Sequence, residues 1–421
     1  MAAAPRLQSV TLRFCGVGSA PQQRLQQQPR GQAACGQRRQ HSAVTAVAAP
    51  VAPGPAAPTS PYAVEMQAAV DAVRLASWLC EAVQVELKSG QWTDKEDSSP
   101  VTIADYGAQA LVAWSLKRTF PNVPLSLVAE EDAIELREPE NLATVSAITQ
   151  HVNAALAREH PQATPLTGAE VLDLIDCGDS AGGGVGRHWV LDPIDGTRGF
   201  VGMRQYAVCL GLLDAGEVVL GVLGCPNLPQ YAISEDDCDE GQAGRSFSDE
   251  TIGSMFVAAK GQGAYTGSVF GGMPTQRIFC NDTVSPAEAR YMESFEKRHS
   301  NHTLSQAIAD EVGIVLPSLK LDSQAKYGAL SRGDAGIFMR FPDLVYREKI
   351  WDHAAGVIIL QEAGAVITDA AGNPLDFSLG RHFPWLHGGI VAATPSLHAK
   401  IMAALRKIYA EQGEPQQPAA P

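Results

Sequence analysis

The stretch WVLDPIDGTRGF, residues 189–200, places two carboxylates directly after a hydrophobic run. Residues 189–191 predict a strand, and Pro193 fixes the backbone of the turn that follows it. In such a turn the side chains of Asp192 and Asp195 curl to one side. Paired carboxylates at the end of a strand are typical of a site for a hard cation, because Mg²⁺ prefers oxygen ligands.

The residues inside and after this turn add further polar groups. The turn exposes the carbonyl of Ile194, which supplies another oxygen for a cation. The amides of Gly196 and Thr197 can cradle an anion if a helix begins there. An ordinary Asp-Pro/Asp-Gly turn explains the bare motif equally well, so residues elsewhere must decide between the two interpretations.

Three more acidic residues stand at the ends of predicted elements. Glu130 directly follows a predicted strand, Asp105 lies near the start of a predicted helix, and Asp352 begins another. Each has a simpler explanation. Glu130 can be a solvated charge, Asp105 the acidic partner of a capping box opened by Thr102, and Asp352 a helix N-cap.

The rest of the chain predicts helices and strands that alternate, which indicates an α+β chain with an α/β layer in its C-terminal half. Helical spacing of apolar residues covers 61–88, 102–120, 150–158, 169–175, 304–311, 324–332, 352–363 and 398–411. Strands are expected at 125–129, 188–191, 206–213, 218–225, 251–265, 277–280, 314–316, 335–340, 366–368 and 389–393.

Composition and charge limit the function. The chain has 421 residues, of which 45% are hydrophobic, and this is ample for two domains or one large one. Its net charge of -14 argues against a nucleic-acid polymer as partner, because a phosphate backbone requires clustered Lys and Arg. The most apolar stretch, 206–225, is interrupted by Asp214 and Glu217, so no membrane span is expected.

The N-terminal residues differ in kind from the rest. Before Glu65 the sequence contains arginines but no Lys, Asp or Glu. Its Arg, Gln, Ala and Ser content is typical of an organelle transit peptide, chloroplast or mitochondrial, with a disordered cytosolic tail as the alternative. We therefore expect a transit peptide and linker at 1–60, an N-terminal metal-binding α+β domain at 61–255, a C-terminal α/β substrate domain at 256–412 and a disordered tail at 413–421.

The eight cysteines show no CxxC or Cys/His pattern, so neither a zinc site nor a disulfide framework is expected. Most should be core thiols. Cys177 and Cys238 lie in polar surroundings, where a redox-responsive thiol is conceivable.

Six blocks of sequence, in this order, resemble the 3'(2'),5'-bisphosphate nucleotidases of the lithium-sensitive, inositol-monophosphatase-like superfamily. The resemblance runs from about residue 66 to residue 406. The blocks are SPVTIADYGAQ (99–109), LVAEED (127–132), WVLDPIDGTRGF (189–200), LGCPNLP (223–229), LDSQAKYG (321–328) and EKIWDHAAGVIILQEAG (348–364).

The resemblance implies an αβαβα layered sandwich of the sugar-phosphatase/inositol monophosphatase type. It also implies Mg²⁺ dependence, with two or three ions per site, and removal of the 3'-phosphate from 3'-phosphoadenosine 5'-phosphate and its sulfated precursor. The partner would be a small phosphorylated nucleotide, and the protein a monomer or weak homodimer. Position by position, the implied metal ligands are Glu130, Asp192, the Ile194 carbonyl, Asp195 and Asp352, with Asp105 near a further metal.

The same resemblance implies roles in catalysis and substrate binding. Thr197, hydrogen-bonded to Asp105, resembles the pair that activates the attacking water. The implied substrate contacts are Gly196, Thr197, Ser323, Lys326, Arg340 and Asp352, with His299 near the base. One departure puts the base pocket in doubt, since this chain has Arg298 where the family usually has Gly before that histidine.

Three rival functions stay open on the sequence. A haloacid-dehalogenase-type phosphatase also has Asp-Gly-Thr after a strand, but it requires a nucleophilic Asp where this chain has Pro193. Inositol monophosphatase or inositol polyphosphate 1-phosphatase activity is possible within the same superfamily. A nucleotide-binding sensor without turnover is the non-enzymatic alternative.

Overall fold

The computed structural model describes residues 61–89, 99–234, 250–295, 301–343, 345–413 and 415–416. The described residues, all of which lie after residue 60, belong to one compact unit. The expected transit peptide and linker, and most of the expected C-terminal tail, lie outside the described residues. Within these residues no helix is long and apolar enough to cross a membrane.

Seven strands of the described chain form the first sheet, in which strand order follows sequence order. The first two strands pair in parallel and the others are antiparallel. Their bounds are β1 (Leu127–Ala129), β2 (Arg187–Asp195), β3 (Ala207–Asp214), β4 (Glu217–Pro229), β5 (Ile252–Ala259), β6 (Gly263–Ser268) and β7 (Gln276–Ile278).

The predicted hairpin of β3 and β4 shows how local sequence determines this sheet. Asp214 pairs with Glu217 across a two-residue turn. Ala215 and Gly216 in this turn both have positive φ angles, 52° and 82°. Two positive φ angles are the geometry of a tight hairpin turn whose twist matches that of the strands.

Five strands of the described chain form the second sheet, in the order β11-β12-β10-β8-β9. Their bounds are β8 (Tyr291–Glu293), β9 (Leu319–Lys320), β10 (Ile337–Arg340), β11 (Val366–Asp369) and β12 (Ile390–Ala393). The change from one sheet to the other therefore lies between Ile278 and Tyr291. The expected division at 255/256 stays a prediction.

The helices complete a layered arrangement. Their bounds are α1 (Ala63–Ser89), α2 (Pro100–Thr119), α3 (Leu142–Glu159), α4 (Gly168–Ile175), α5 (Thr197–Val201), α6 (His302–Val312), α7 (Ala325–Arg332), α8 (Ala354–Glu362) and α9 (Pro395–Gln412). Helices α1 and α2 pack on one side of the first sheet, and α8 packs against β3, β4 and β5 from the other. Helix α7 also joins the core between the sheets, whereas α6 and α9 share the core outside the second sheet. The layers are thus α, β, α, β and α, as expected.

One local expectation and one of the simpler explanations are wrong. Residues 314–316 do not form a strand, and the side chain of Val315 is 74% exposed. The edge strand of this sheet is instead β9, whose two residues are too few to show a periodic pattern. Helix α2 is capped by Ser99, whose Oγ accepts a hydrogen bond from Thr102 N, so Thr102 does not open a capping box and Asp105 has no part in one.

Cys177 is half-buried, and its Sγ lies 3.8 Å from Lys117 Nζ. Cys238 lies outside the described residues. A redox role for these cysteines stays a prediction.

Candidate active site

A cavity of about 300 Å³ brings together most of the residues that the sequence singles out. Its lining includes ten of the predicted site residues, namely Glu130, Asp192, Ile194, Asp195, Gly196, Thr197, Ser323, Lys326, Arg340 and Asp352. They come from the ends of β1, β2 and β10, the start of α5, the segment before and into α7, and the turn before α8. Residues far apart in the sequence therefore face one volume.

The turn after β2 requires glycine at position 196. Gly196 has a φ of 90° and precedes α5, which begins at Thr197 as expected. A Cβ atom at Gly196 would lie 2.9 Å from the Cβ of Ser323. The glycine thus permits both the left-handed backbone and the close approach of the segment that leads into α7. Asp195 is joined to that segment, because its Oδ2 accepts a hydrogen bond of 2.5 Å from Gln324 N.

Asp192 is the most deeply buried acid of the cavity, with 2% of its surface exposed. Within the described residues its Oδ1 atom has no hydrogen-bond partner. Burial raises the pKa of Asp192 well above its usual range, and the charges of Glu130, Asp195, Asp352 and Asp105 raise it further. A buried carboxylate oxygen without a partner, surrounded by other carboxylates, fits a divalent cation, since buried charges are otherwise paired.

The neighbouring acids show the same concentration of negative charge. Burial raises the pKa of Asp352 to about 7, against the opposing effect of His353. Burial also raises the pKa of Asp195 to about 6, although Lys326 and the Gln324 amide act in the opposite direction. Such repulsion between acids is relieved when a cation binds among them.

Asp105 lies behind these acids on α2 and is buried. Burial raises its pKa, and the charges of Glu131 and Glu130 raise it further. Gln109, one helical turn after Asp105, joins α2 by hydrogen bonds to the acidic segment 130–132 that follows β1. Its Nε2 donates to the carbonyl of Glu131 at 2.7 Å, and its Oε1 accepts from the amide of the same residue at 3.1 Å.

Thr197 is exposed at the cavity, and no hydrogen bond joins it to Asp105 in the described part of the chain. Their action as a pair stays a prediction.

Cationic side chains occupy another part of the cavity wall. Lys326 is 4% exposed, and its Nζ donates to the carbonyl of Leu321 at 2.9 Å and to Ser294 Oγ at 3.2 Å. Burial lowers its pKa to about 8. Arg340 is held in a bidentate pair with Glu348, through contacts of 2.7 and 3.1 Å. The cavity thus has carboxylates that can hold cations and cations that can hold a second anionic group.

Arg340 is held in place by a series of hydrogen-bonded side chains. None of these side chains was predicted as a site residue from the sequence. Glu348 Oε2 also lies 3.1 Å from His353 Nε2, and His353 Nδ1 lies 2.7 Å from Tyr327 Oη. Glu348, Asp352 and His353 place possible metal-ligand atoms within 4.8 Å of one another. Because Arg340 and His353 already engage Glu348, and Arg340 holds its pKa down at about 2 against burial, we assign Glu348 to Arg340 rather than to a metal.

Lys349 was not predicted as a site residue either, and its Nζ donates a hydrogen bond of 2.5 Å to Glu130 Oε1. Both Glu348 and Lys349 stand in the block EKIWDHAAG, but that block gave no sign of their partners. His299 and Arg298 lie outside the described residues, so the expected contact with a base stays a prediction.

Comparison with known proteins identifies a family. A model of the inositol monophosphatase family matches residues 59–410. A 3'(2'),5'-bisphosphate nucleotidase of Oryza sativa is 45% identical over 360 residues, which cover 85% of this chain and 98% of that protein. The 3'(2'),5'-bisphosphate nucleotidase 1 of Arabidopsis thaliana is 47% identical over 352 residues, which cover 83% of this chain and 98% of that protein.

A solved structure supports the same fold. The extragenic suppressor protein suhB from Bartonella henselae has a TM-score of 0.50 and 17% identity, and the match covers 82% of this chain and 98% of that one. Identity this low indicates shared fold only. The layered α+β fold and the family resemblance expected from the sequence are both confirmed.

Proposed function

We propose, since this chain belongs to the inositol monophosphatase family, that it hydrolyses the 3'-phosphate of 3'-phosphoadenosine 5'-phosphate to give AMP. The 3'-phosphate of 3'-phosphoadenylyl sulfate would be removed in the same way. The observation that carries the proposal is the buried, unpartnered Oδ1 of Asp192 among other carboxylates, in the same cavity as Lys326 and Arg340.

The residues that would hold two or three Mg²⁺ ions are Glu130, Asp192, Asp195, Asp352 and the Ile194 carbonyl, with Asp105 near a further ion. The donor set supports this assignment, because it consists of the hard oxygen ligands that Mg²⁺ prefers. When bound, Mg²⁺ lowers the pKa of a water and neutralises the phosphoryl oxygens.

The protein's own groups would do the remaining work. Asp105 would accept the proton of the attacking water, and the hydroxyl of Thr197 would orient that water for attack in line with the leaving 3'-oxygen. The amides of Gly196 and Thr197 would contact the scissile phosphate. No covalent intermediate on the protein is part of this proposal.

The cationic side chains of the cavity would bind the second phosphate of the substrate, the 5'-phosphate. Ser323, Lys326 and Arg340 would bind the 5'-phosphate, a role that supports a bisphosphate over an inositol monophosphate. Glu348 accepts hydrogen bonds from Nε and Nη2 of Arg340 and so fixes the orientation of the guanidinium, whose remaining N–H groups would donate to that phosphate. His299 would lie near the base.

A variant of Lys326 tests this assignment. We expect Lys326→Met to lower kcat/KM for 3'-phosphoadenosine 5'-phosphate by about 10- to 100-fold, because a charged contact to the 5'-phosphate is lost. With adenosine 3'-monophosphate, which lacks that group, we expect the loss to be far smaller. Steady-state phosphate release at fixed Mg²⁺ measures both.

The control is Lys407→Met, which breaks the exposed ion pair between Lys407 on α9 and Glu311 on α6 and should change neither value. An equal loss on both substrates would contradict the role of Lys326. Binding of the bisphosphate in Mg²⁺ without phosphate release would instead support a sensor, and faster release from inositol phosphates would support the inositol phosphatases. An aspartyl-phosphate trapped on Asp195 would indicate the haloacid-dehalogenase mechanism.

We also propose that the protein acts in the chloroplast, with the mitochondrion as the alternative, and as a monomer or weak homodimer. The Arg-containing, acid-free sequence before Glu65 supports an organelle address.

A further inference from the structure

Lys349 stands beside a carboxylate that the proposed function gives to a metal. Its Nζ lies 2.5 Å from Glu130 Oε1, although 219 positions separate the two residues in the sequence. Each side chain is 31% exposed. The contact therefore lies at the wall of the cavity, where a side chain can move toward solvent.

The ammonium of Lys349 serves more than one acid. Besides the hydrogen bond to Glu130, it interacts electrostatically with Asp352 and Asp192. All three acids line the cavity and are proposed metal ligands. Lys349 is thus a positive charge placed where the carboxylates concentrate negative charge.

Arg381, the other cationic side chain near these acids, cannot neutralise them in the same way. Arg381 lies over the ring of Trp351, as Lys349 does, with its Cζ 4.8 Å from the ring centroid. However, Arg381 donates to the carbonyls of Gly178, Ser180 and Ala129, so its guanidinium is fixed. Lys349 has a flexible stem and a carboxylate partner that a metal would also use.

We propose that Lys349 is the resident counter-ion of the metal-free site and that its ammonium leaves Glu130 when a divalent cation binds. This rests on the proposed function, since it takes Glu130 as a metal ligand. An ammonium and a divalent cation on one carboxylate repel each other strongly at contact distance. Lys349 therefore weakens metal binding and stabilises the empty site.

An ordinary surface ion pair would behave differently. Such a pair adds about 0–1 kcal/mol to stability, whether or not metal is present. A counter-ion that competes with metal stabilises the metal-free protein but weakens metal binding. Its removal destabilises the metal-free protein, whose acids lose their cation, and strengthens metal binding.

The test measures Mg²⁺ binding without substrate. Titration calorimetry on the purified chain should give a Mg²⁺ Kd about fivefold lower for Lys349→Met than for wild type, the change expected from losing one partly exposed ion pair. Thermal unfolding should show a lower midpoint for this variant in EDTA and an unchanged midpoint in saturating Mg²⁺. Lys349→Arg, which keeps the charge, should retain a Kd near that of wild type.

Lys407→Met is the matched control, because it breaks a comparable Lys–Glu pair away from the cavity and should leave the Kd unchanged. Lys349→Gln removes the charge but can still donate to Glu130, and it gives the same comparison if the Met variant does not fold. An unchanged or weaker Mg²⁺ affinity in the uncharged variants would overturn the inference alone. A wild-type chain that binds no Mg²⁺ would overturn both the inference and the proposed function.

Discussion

At Asp192 the burial that costs stability is also what supports the proposed function. Its carboxylate is buried, and the charges around it are mostly of the same sign. We expect Asp192→Asn to raise the free energy of unfolding in EDTA by about 1–2 kcal/mol, because it removes a carboxyl group whose ionisation is opposed by burial and by the neighbouring acids. The same change should abolish phosphate release and the thermal stabilisation by Mg²⁺. Chemical denaturation with and without Mg²⁺ measures both effects.

The matched change is Asp214→Asn, at the end of β3, which removes a half-buried acid that forms an ion pair with Arg187. It should leave the stabilisation by Mg²⁺ intact. If Asp192→Asn destabilised the metal-free protein, the repulsion among the cavity acids would be the wrong explanation for its environment.

At this scale the sequence identified residues whose chemistry is evident from their neighbours. The turn from Asp192 to Thr197 was predictable because strand, proline, acids and glycine are contiguous. Lys349 and Glu348 were not predicted as site residues, because the role of each depends on a partner that is distant in the sequence and close only in the fold. Glu130 is 219 positions from Lys349, and Arg340 lies on another element.

Helix α8 positions Asp352 and His353 through close contact with the first sheet. The contact depends on Gly221 in β4, where an added Cβ would meet the carbonyl oxygen of Ala355 and lie 2.5 Å from Ile358 Cγ2. We expect Gly221→Ala to destabilise the protein by about 2 kcal/mol, because backbone and core atoms must shift. It should also lower kcat/KM by moving the start of α8 and Asp352 with it. Thermal unfolding and steady-state kinetics measure these two effects.

Gly272 provides the control for this element-scale prediction. It is exposed, it has no positive φ, and an added Cβ would meet nothing within 4 Å. Gly272→Ala should therefore leave both stability and kcat/KM unchanged. Equal effects of the two variants would mean that the α8–β4 contact does not position the site.

Elements were predictable where they are long enough to show a period. The hairpin of β3 and β4 and the helices α1 and α9 emerged from apolar spacing to within a few residues. The strands β8 and β9 were not predicted, and their three and two residues carry no period of their own. The equally short β1 and β7 were predicted only because each overlaps a short apolar run. The positions of β8 and β9 are determined by pairing within the second sheet. The strand expected at 314–316 lies a few residues before β9, which is the segment that pairs.

The sequence before the first described helix differs in composition from the part of the chain that the family model matches. The family match begins at residue 59, and the first described helix begins at Ala63. Charge also distinguishes the N-terminal residues, since before Glu65 every charged side chain at pH 7 is an arginine. The layered order itself was predictable only through the family resemblance, because apolar spacing does not say which helix lies between the sheets.

We therefore expect residues 61–421, expressed alone, to unfold within about 1 °C of the full chain and to keep its kcat/KM, because the described core begins in α1. A chain starting at residue 76 should be strongly destabilised, since it loses the buried face formed by Ala69, Val70, Val73 and Leu75. Residues 1–60 fused to a fluorescent reporter should direct it to the chloroplast, whereas 61–421 with the same reporter should remain outside it. If residues 61–421 misfolded when expressed alone, the residues before 61 would be needed for folding. If the fusion with residues 1–60 stayed in the cytosol, these residues would not be a transit peptide.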